Sequence, residues 1–393
     1  MPLGRVAQPG PLIVHVVRQF YPNRGGLEDV VMNLGLALIA RGYRVRVVTL
    51  DRLFGAPDTV LPARETVNGI EVVRIPWKGS SRYPLAPAVF RHLDDADLVH
   101  VHAIDFFFDA LALGWLLHRK PMVATTHGGF FHTNKHALIK KIWFRTLTRL
   151  SALSYTRIIG CSRSDTAAFS AIAAGRTILI DNGADTAKFY EAASRQPVKR
   201  IVTIGRFSVN KRIDRLLDAL QALVVRDGEW HLEIVGVPGD LSVLDVEALI
   251  AARGLQAHVS IACNLENDAI ARLLGTCSLF ASASEYEGFG LVAVEAMSAG
   301  LKPVLHVNDA YRLLGERHGG LMLADFERAD RAADTLEAAY RGLCDGGEAQ
   351  RATLIAEASD YAWSRVADRY VAVYADVMGP ALAGLSGLEG KSQ

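Results

Sequence analysis

The sequence lacks the features that mark secreted, metal-binding and membrane-spanning proteins. Its four cysteines, at positions 161, 263, 277 and 344, lie far apart and form no C-x-x-C pair. This argues against a zinc site or a disulfide framework and favours a reducing cytosol. The apolar run at 11–17 is interrupted by His15 and is too short for a signal peptide, and no uninterrupted apolar stretch is long enough to predict a transmembrane helix.

Acidic residues are absent from one long segment, although the net charge of the chain is only +1. Residues 110–164 contain no Asp or Glu but nine Lys and Arg residues, and 135–149 also carries aromatic and aliphatic side chains. This pattern predicts a basic amphipathic helix that docks on an anionic membrane surface; the alternative is a core helix with a solvated basic face. No base-stacking or groove-reading motif accompanies it, so no nucleic-acid partner is expected.

Short apolar runs alternate with helical patterns along most of the chain, which predicts an α/β fold with parallel sheets. The polar, proline-containing segment 186–199 is interpreted as a linker, after which the pattern restarts at 200. The chain is therefore predicted to contain two doubly wound, Rossmann-like domains. Before the linker, strands are predicted at 11–17, 43–50, 70–75, 98–102, 121–126, 157–161 and 177–180, and helices at 27–41, 106–118, 136–155 and 164–174.

Glycines and cations follow several predicted strands, where parallel sheets bind their ligands. Gly25 and Gly26 precede the first helix, whose N-terminus could hold a phosphate; a tight turn is the alternative. His127 ends another strand and could bond a substrate hydroxyl or shuttle a proton, or could be a structural hydrogen-bonding residue. Arg206 and Lys211 flank a later helix start, where they could hold a diphosphate or be ordinary surface cations.

The stretch 285–295, EYEGFGLVAVE, places three carboxylates around a glycine-flanked turn. Capping of the following helix could explain acids near its start, but not Glu295 further along an apolar helix. An acid that faces a binding site could instead accept hydrogen bonds from sugar hydroxyls. Glu287 and Glu295 are the candidates, and Glu285 is interpreted as a loop acid.

Taken in order, these motifs resemble those of the retaining glycosyltransferases of family 4, which have the GT-B fold. Glu287 and Glu295 match the family's E-x7-E motif, and 182–185 (NGAD) looks like its N-G-[VA]-D. The resemblance implies two Rossmann-like domains facing across a cleft, with a C-terminal helix crossing back to the N-terminal domain. The implied boundaries are 1–190 for acceptor binding and membrane docking, 191–360 for the nucleotide sugar, and 361–393 for the returning helix.

The resemblance also implies roles for individual residues. Glu287 is expected to contact the hydroxyls of the donor sugar and Glu295 the nucleotide ribose, while Arg206 and Lys211 bind the donor diphosphate. His127, Glu287 and Lys211 are the candidate catalytic residues. The candidate donor-binding residues are Gly25, Gly26, Ser162, Arg206, Lys211, Glu287, Phe289, Gly290, Leu291 and Glu295. No D-x-D occurs at a predicted site, so no metal is expected.

The subgroup that the chain resembles moves mannose from GDP-mannose to cellobiosyl-diphosphopolyprenol, with an α-1,3 linkage, in the assembly of acetan-like exopolysaccharide. The resemblance implies a peripheral enzyme on the cytoplasmic side of the bacterial inner membrane. Alternatives are a family 4 transferase with another nucleotide sugar or acceptor, a glycosidase using Glu287 and Glu295, and a non-catalytic nucleotide-sugar-binding protein. The chain departs from the family after Gly300, where 301–316 lacks a glycine pair that relatives use near the donor.

Overall fold

The computed structural model describes residues 10–23, 25–81, 83–128 and 142–379. They form two compact α/β units. Unit 1 contains the described residues up to Asn182 and those from Val366 onward, and unit 2 is Gly183–Arg365.

Unit 1 is built on an eight-stranded sheet with the order β10-β9-β8-β7-β1-β2-β4-β3. All strand pairs are parallel except β3 with β4. The strands, including the small hairpin β5–β6, are β1 (Leu12–Val16), β2 (Arg44–Leu50), β3 (Arg64–Val67), β4 (Ile70–Ile75), β5 (Lys78–Ser80), β6 (Tyr83–Leu85), β7 (Leu98–His102), β8 (Met122–Thr125), β9 (Arg157–Gly160) and β10 (Thr177–Leu179). Among the described residues before the second unit, the α-helices are α1 (Gly26–Ile39), α2 (Phe106–Leu113), α3 (Trp115–His118), α4 (Arg149–Ser151) and α5 (Arg163–Ser170).

The central strands of unit 1 are covered on both faces. Every residue of β1, β7 and β8 is buried, as expected for parallel strands with helices on both sides. Val14 and Val99 pack with Phe107 and Phe108 of α2 in one continuous apolar core. This packing aligns the carboxyl ends of β1, β7, β8 and β9 along one edge of the sheet.

Unit 2 has a six-stranded, fully parallel sheet with the order β13-β12-β11-β14-β15-β16. Its strands are β11 (Arg200–Phe207), β12 (His231–Pro238), β13 (Val259–Cys263), β14 (Leu279–Ser282), β15 (Lys302–His306) and β16 (Met322–Ala324). The α-helices that follow, up to residue 379, are α6 (Ile213–Arg226), α7 (Val243–Ala251), α8 (Asn267–Leu274), α9 (Leu291–Ala299), α10 (Asp309–Arg317), α11 (Ala329–Ala358) and α12 (Trp363–Met378).

The interpretation of 186–199 as a linker is wrong. Phe189 is buried in the core of unit 2, and the backbone N–H groups of Glu191 and Ala193 donate to the carbonyls of Ser298 and Ala299. Most of the segment is polar, but Phe189 and Ala193 are buried, and these two hydrogen bonds attach its backbone to the end of α9.

The predicted helix 106–118 is divided at Gly114 into α2 and α3. A Cβ at Gly114 would lie 2.4 Å from Cε1 of Phe90, so this ring leaves room only for glycine. The predicted helix 136–155 is described from residue 142 and includes a π-helical turn, Phe144–Thr148, before α4. Its residues 136–141 lie outside the described residues.

The C-terminal helix returns to unit 1, as predicted. Asp368 pairs with Arg41 at 2.6 Å, Asp376 pairs with Arg157 at 2.6 Å, and the Tyr374 hydroxyl lies 2.7 Å from Nδ1 of His100. Helix α12 thereby covers the face of the sheet on which β7 presents its histidines.

Candidate active site

The first strand of unit 2 ends in a turn built around a lysine. Gly205 has φ +155°, and a Cβ there would lie 3.1 Å from Cε of Lys211, whose side chain folds over the strand end. On the neighbouring strand β12, a Cβ at Gly236 would lie 1.8 Å from the carbonyl oxygen of Gly205. Because neither glycine has a Cβ, the backbones of β11 and β12 approach closely at this point, and the Lys211 side chain lies over the carboxyl end of β11.

Lys211 forms an ion pair with Glu287, from the loop that follows β14. Lys211 Nζ lies 2.7 Å from Glu287 Oε1, and the two side chains are 25% and 18% exposed. The pair forms because β11 and β14 are neighbours in the sheet, which brings their carboxyl-end loops together. Two of the three candidate catalytic residues therefore meet in unit 2, although 76 positions separate them in the sequence.

Asn210 fixes the two loops against each other. Its side-chain amide donates to the carbonyl of Tyr286 at 2.9 Å and accepts from the N–H of the same residue at 3.1 Å. The backbone N–H of Glu285 donates to the carbonyl of Asn210. Glu285 itself pairs with Arg212 at 2.6 Å, which agrees with its interpretation as a structural loop acid.

The buried side chain of Tyr311 packs against the loop that carries Glu287. Its hydroxyl donates to Ser282 Oγ at 2.9 Å, and both burial and the neighbouring Glu287 carboxylate raise the pKa of Tyr311. Gly290 has φ +88°, and a Cβ there would lie 2.7 Å from Cε1 of Tyr311. Asn308 caps α10 and donates to the carbonyl of Ser284 at 2.9 Å.

Tyr311 and Asn308 belong to the divergent segment 301–316. The missing glycine pair of this segment could be seen in the sequence. Its packing against the loop 285–290 could not be predicted from any sequence pattern. The structure assigns it a buried polar support, Ser282–Tyr311 and Ser284–Asn308, beneath residues 285–290.

The remaining predicted donor-binding residues of unit 2 are Arg206, Glu295, Phe289, Gly290 and Leu291. Arg206 is exposed at the end of β11, and no ion-pair partner for it occurs within the described ranges. Glu295 lies on α9 with one carboxylate oxygen 3.7 Å from Nζ of Lys188, and that ammonium also sits 4.6 Å from the centre of the Phe189 ring. Phe289 and Leu291 are partly buried against the core of the unit, on either side of Gly290.

In unit 1, the glycine pair lies where the sequence predicts, at the start of α1. Gly25 is the N-cap and Gly26 the first helical residue. Glu28 lies next to this N-terminus, where it accepts a hydrogen bond from Asn23 Nδ2 at 2.7 Å. A Cβ at Gly25 would lie 2.6 Å from its Oε2. An anion bound by the α1 amides would therefore have this carboxylate as a neighbour.

Ser162 is the N-cap of α5. Its Oγ accepts from the N–H of Asp165 at 3.2 Å and lies 2.9 Å from Ser164 Oγ. The Asp165 carboxylate in turn accepts a hydrogen bond from Thr126 Oγ1, which ties the ends of β8 and β9 together.

His127 is the first member of a chain of hydrogen-bonded imidazoles. It has φ +53°. Its Nε2 lies 2.9 Å from Nδ1 of His102, and Nε2 of His102 lies 2.8 Å from Nδ1 of His15. Burial lowers the pKa of His127 to about 4 and that of His15 to about 3, and it lowers the pKa of His102 well below the usual value. All three rings are neutral at pH 7.

His15, His100 and His102 could hold a metal ion by distance alone, since one ring nitrogen from each lies within 4.8 Å of the others. Their rings, however, lie against one another, with the centroids of His100 and His102 4.1 Å apart and those of His15 and His102 5.1 Å apart. Both nitrogens of His100 are bonded, to Thr125 Oγ1 and to the Tyr374 hydroxyl. Because the ring nitrogens of His100 and of His102 already have hydrogen-bond partners, these residues fit a hydrogen-bonded layer better than a metal centre.

Sequence reasoning missed an ion pair at the same sheet edge. Arg18 follows β1 and Asp105 follows β7; Arg18 Nε lies 2.8 Å from Asp105 Oδ2. Burial raises the pKa of Asp105 to about 6. Asp105 also caps α2 by accepting from the N–H of Phe107. The sequence places each residue directly after a predicted strand. That the two strands are neighbours, and hence that the side chains pair, could not be predicted without the strand order.

The two-unit architecture recurs in solved glycosyltransferases. The chain superposes on a glycosyltransferase from Rickettsia africae with a TM-score of 0.71 at 16% identity, covering 95% of this chain and 100% of that one. It superposes on sucrose-phosphate synthase from Thermosynechococcus elongatus with a TM-score of 0.68 at 18% identity, covering 93% and 98%. Two Rossmann-like units with a returning C-terminal helix define the GT-B class of glycosyltransferases.

Sequence comparison identifies the family. Residues 24–188 match the model of Glycosyltransferase Family 4, and residues 186–342 match that of Glycosyl transferases group 1. A protein of Komagataeibacter xylinus is 43% identical over 94% of both chains, and one of Xanthomonas campestris is 41% identical over 93% of this chain and 97% of its own. Both relatives are named GDP-mannose:cellobiosyl-diphosphopolyprenol alpha-mannosyltransferase. The chain belongs to glycosyltransferase family 4.

Proposed function

We propose that this protein transfers mannose from GDP-mannose to cellobiosyl-diphosphopolyprenol, with retention of configuration and an α-1,3 linkage. The observation that carries the proposal is the Lys211–Glu287 pair at the carboxyl ends of β11 and β14, with Arg206 exposed at the end of the same strand. The two similar relatives, which match over nearly their whole length, support the choice of donor and acceptor.

The side chains of unit 2 supply the chemistry. Arg206 and Lys211 bind the donor diphosphate, and the Lys211 ammonium stabilises the charge that develops on the leaving phosphate. Glu287 orients this ammonium and accepts hydrogen bonds from the sugar, and Glu295 accepts from the ribose. The bond between the sugar C1 and the phosphate oxygen breaks as the acceptor hydroxyl attacks from the same face, and the leaving phosphate takes the hydroxyl proton. Cations replace a metal in this scheme.

A hydrolase is a weaker alternative on the same geometry. Glu287 and Glu295 are each held by a lysine, at 2.7 and 3.7 Å, whereas a glycosidase needs one carboxyl free to carry a proton to the leaving group. Release of free mannose without an acceptor would favour this alternative.

A panel of GDP-, UDP- and ADP-sugars, incubated with polyprenyl-diphosphate cellobiose, tests the proposal. The expected product is a mannosylated lipid from GDP-mannose alone, with an α-1,3 linkage by methylation analysis, and unchanged activity in EDTA. Intact donor in every reaction would indicate a binding protein. Transfer of a different sugar would overturn the donor assignment.

We also propose that unit 1 docks on an anionic membrane from the cytoplasmic side. Every described helix is too short or too polar to cross a bilayer. Instead, apolar side chains project into solvent from the end of α2, from α3 and from the helical segment that includes α4. The exposed set, here called the docking surface, is Leu113, Trp115, Leu116, Leu117, Ile142, Trp143, Leu150 and Leu153.

The second segment of the docking surface contacts the end of α2, which leads into α3. Ser154 Oγ donates to the carbonyl of Ala112 at 3.1 Å, which holds the end of the second segment against the end of α2. Arg119, Arg145 and Arg149 are exposed among these apolar residues. Such a combination of apolar and basic side chains binds the interface of anionic bilayers. The predicted contribution of Lys140 and Lys141 lies outside the described residues.

Flotation with vesicles tests the docking surface. Leu116 and Leu117 are 71% and 83% exposed, so Leu116→Asp with Leu117→Asp should leave the fold intact and reduce binding to vesicles containing phosphatidylglycerol at least ~10-fold. Val225 of unit 2 is 82% exposed, and Val225→Asp is the matched control that should bind normally. Equal binding by the double variant and this control would refute the assignment.

A further inference from the structure

The imidazole chain His127–His102–His15 has a direction that the structure determines. Each neutral imidazole carries one N–H donor and one acceptor nitrogen, so the donors in a chain of hydrogen-bonded rings must all point the same way. The chain ends at Nε2 of His15, which is buried and has no hydrogen-bond partner within the described residues. This buried nitrogen is therefore either an N–H without an acceptor or a lone pair without a donor.

The unpaired lone pair is the less costly of the two. Buried N–H groups without an acceptor are rarer in native proteins than acceptors without a donor. His15 therefore carries its hydrogen on Nδ1 and donates to Nε2 of His102, across 2.8 Å. His102 then carries its hydrogen on Nδ1 and donates to Nε2 of His127, across 2.9 Å. His127 is left with its hydrogen on Nδ1.

We propose that His102 is a positioning residue that fixes His127 as the Nδ1–H tautomer, so that His127 serves as a hydrogen-bond donor to a substrate oxygen. This inference rests on the proposed transferase function. Among the residues that the structure describes, Nδ1 of His127 has the Cys161 sulfur as its partner at 4.0 Å, a weak acceptor at the limit of a hydrogen bond. The N–H is therefore available to a sugar hydroxyl or a phosphate oxygen.

The same arrangement excludes two other roles for His127. Its Nε2 accepts from His102 and cannot also accept a substrate proton, so His127 is not a general base. Burial keeps the ring neutral at pH 7, so it does not act as a cation toward a phosphate. The proton-shuttle hypothesis raised by the sequence is replaced by that of a neutral, directed donor.

The tautomer is directly measurable in the wild-type protein. With ¹⁵N-histidine labelling, long-range ¹H–¹⁵N spectra distinguish protonated from unprotonated ring nitrogens, and His127→Gln assigns the His127 signals. We expect a protonated Nδ1 and an unprotonated Nε2 at pH 7. A protonated Nε2 on His127 in the wild-type protein would overturn the proposal, whatever the activity.

Two substitutions of His102 separate positioning from packing. His102→Phe retains the ring volume but removes the donor, whereas His102→Asn loses volume but retains an N–H donor close to the position of Nδ1. We expect His102→Phe to release the Nε2–H form of His127 and to lower kcat/KM ~10-fold, the value of one hydrogen bond, and His102→Asn to restore both. A purely structural role predicts the opposite order.

His100→Phe is the matched control, since His100 is equally buried and its ring contacts that of His102, with the centroids 4.1 Å apart, but it lies outside the chain. It should leave the His127 tautomer unchanged. In addition, His102→Phe in a His127→Gln background should cost no further activity, because His102 acts through His127. If the wild-type protein transfers no sugar, the proposed function fails, while the tautomer measurement still decides whether the chain has this direction.

Discussion

Replacing Lys211 with methionine tests whether the ammonium at the end of β11 stabilises the leaving phosphate. At an effective dielectric constant of about 20, a unit charge ~4 Å from a developing negative charge is worth ~4 kcal/mol. That energy corresponds to a factor of ~10³ in rate. Because Lys211 is 25% exposed, water recovers part of this energy, and we expect Lys211→Met to lower kcat by ~10²–10³.

The stability of the same variant should change little. The Lys211–Glu287 pair is partly exposed to solvent, and such pairs contribute ~0–1 kcal/mol to the free energy of unfolding. Urea unfolding should therefore give a midpoint close to that of the wild-type protein. Methionine retains most of the aliphatic stem that packs over Gly205, so a large loss of stability is not expected.

Two glutamate variants complete the experiment. Glu287→Gln should lower kcat, because it removes the carboxylate that orients Lys211, and in the Lys211→Met background it should cost less than it does alone. Glu285→Gln is the matched control in the same loop, since Glu285 pairs with Arg212 instead, and it should retain transfer within a few-fold. Wild-type kcat in Lys211→Met, measured as mannosyl-lipid formed per minute under saturating donor, would refute the assignment of this lysine.

Three further predictions follow from the support of the site and from the buried histidines. Tyr311→Phe should cost ~1 kcal/mol of stability by removing the bond to Ser282, and should lower kcat a few-fold by loosening Glu287; urea titration and the transfer assay measure the two effects. Gly290→Ala should cost ~1–3 kcal/mol, because φ is +88° and the methyl group meets Tyr311, and a midpoint equal to wild type would contradict this reasoning. The free energy of unfolding should also fall in acid. The pKa values in the folded protein, about 3 for His15 and about 4 for His127, lie below the ordinary histidine value of 6.5. Between about pH 6.5 and 4 the unfolded chain therefore binds more protons than the folded protein does. Unfolding at pH 7 and pH 5 should show this loss, and His127→Gln should reduce its slope by about one proton.

The order of elements was readable from the sequence because it rests on local patterns. The strand β7 was predicted at 98–102 and lies there, since its five residues are all buried and an acidic segment, 94–97 (DDAD), precedes it. The missed elements have weak patterns: β3 alternates exposed and half-buried residues at the sheet edge, and β16 has only three residues. Residues 186–199 were misjudged because two buried side chains, those of Phe189 and Ala193, do not outweigh a polar composition.

The candidate site was predicted less completely than the fold, because its contacts depend on strand order. Glu287 and Lys211 could be named from motifs, but their 2.7 Å contact follows from the adjacency of β11 and β14. The support by Tyr311 had no sequence signal. The histidine chain had a sequence signal, because β7 reads LVHVH and alternate residues of a strand share a face. Its continuation through His15 could not be predicted without the register of β1 against β7.

The return of α12 to unit 1 has a consequence for the order of folding during synthesis. Unit 2 is inserted between Asn182 and Val366, and it begins and ends at one place, where the N–H of Ala184 donates to the carbonyl of Tyr361. N-terminal domains usually fold first as the chain leaves the ribosome. Here the last helix of unit 1, which covers His100, is made after the whole of unit 2. A ribosome-bound chain stalled with residue 365 outside the tunnel should therefore contain a protease-resistant unit 2 and a unit 1 that is still cleaved.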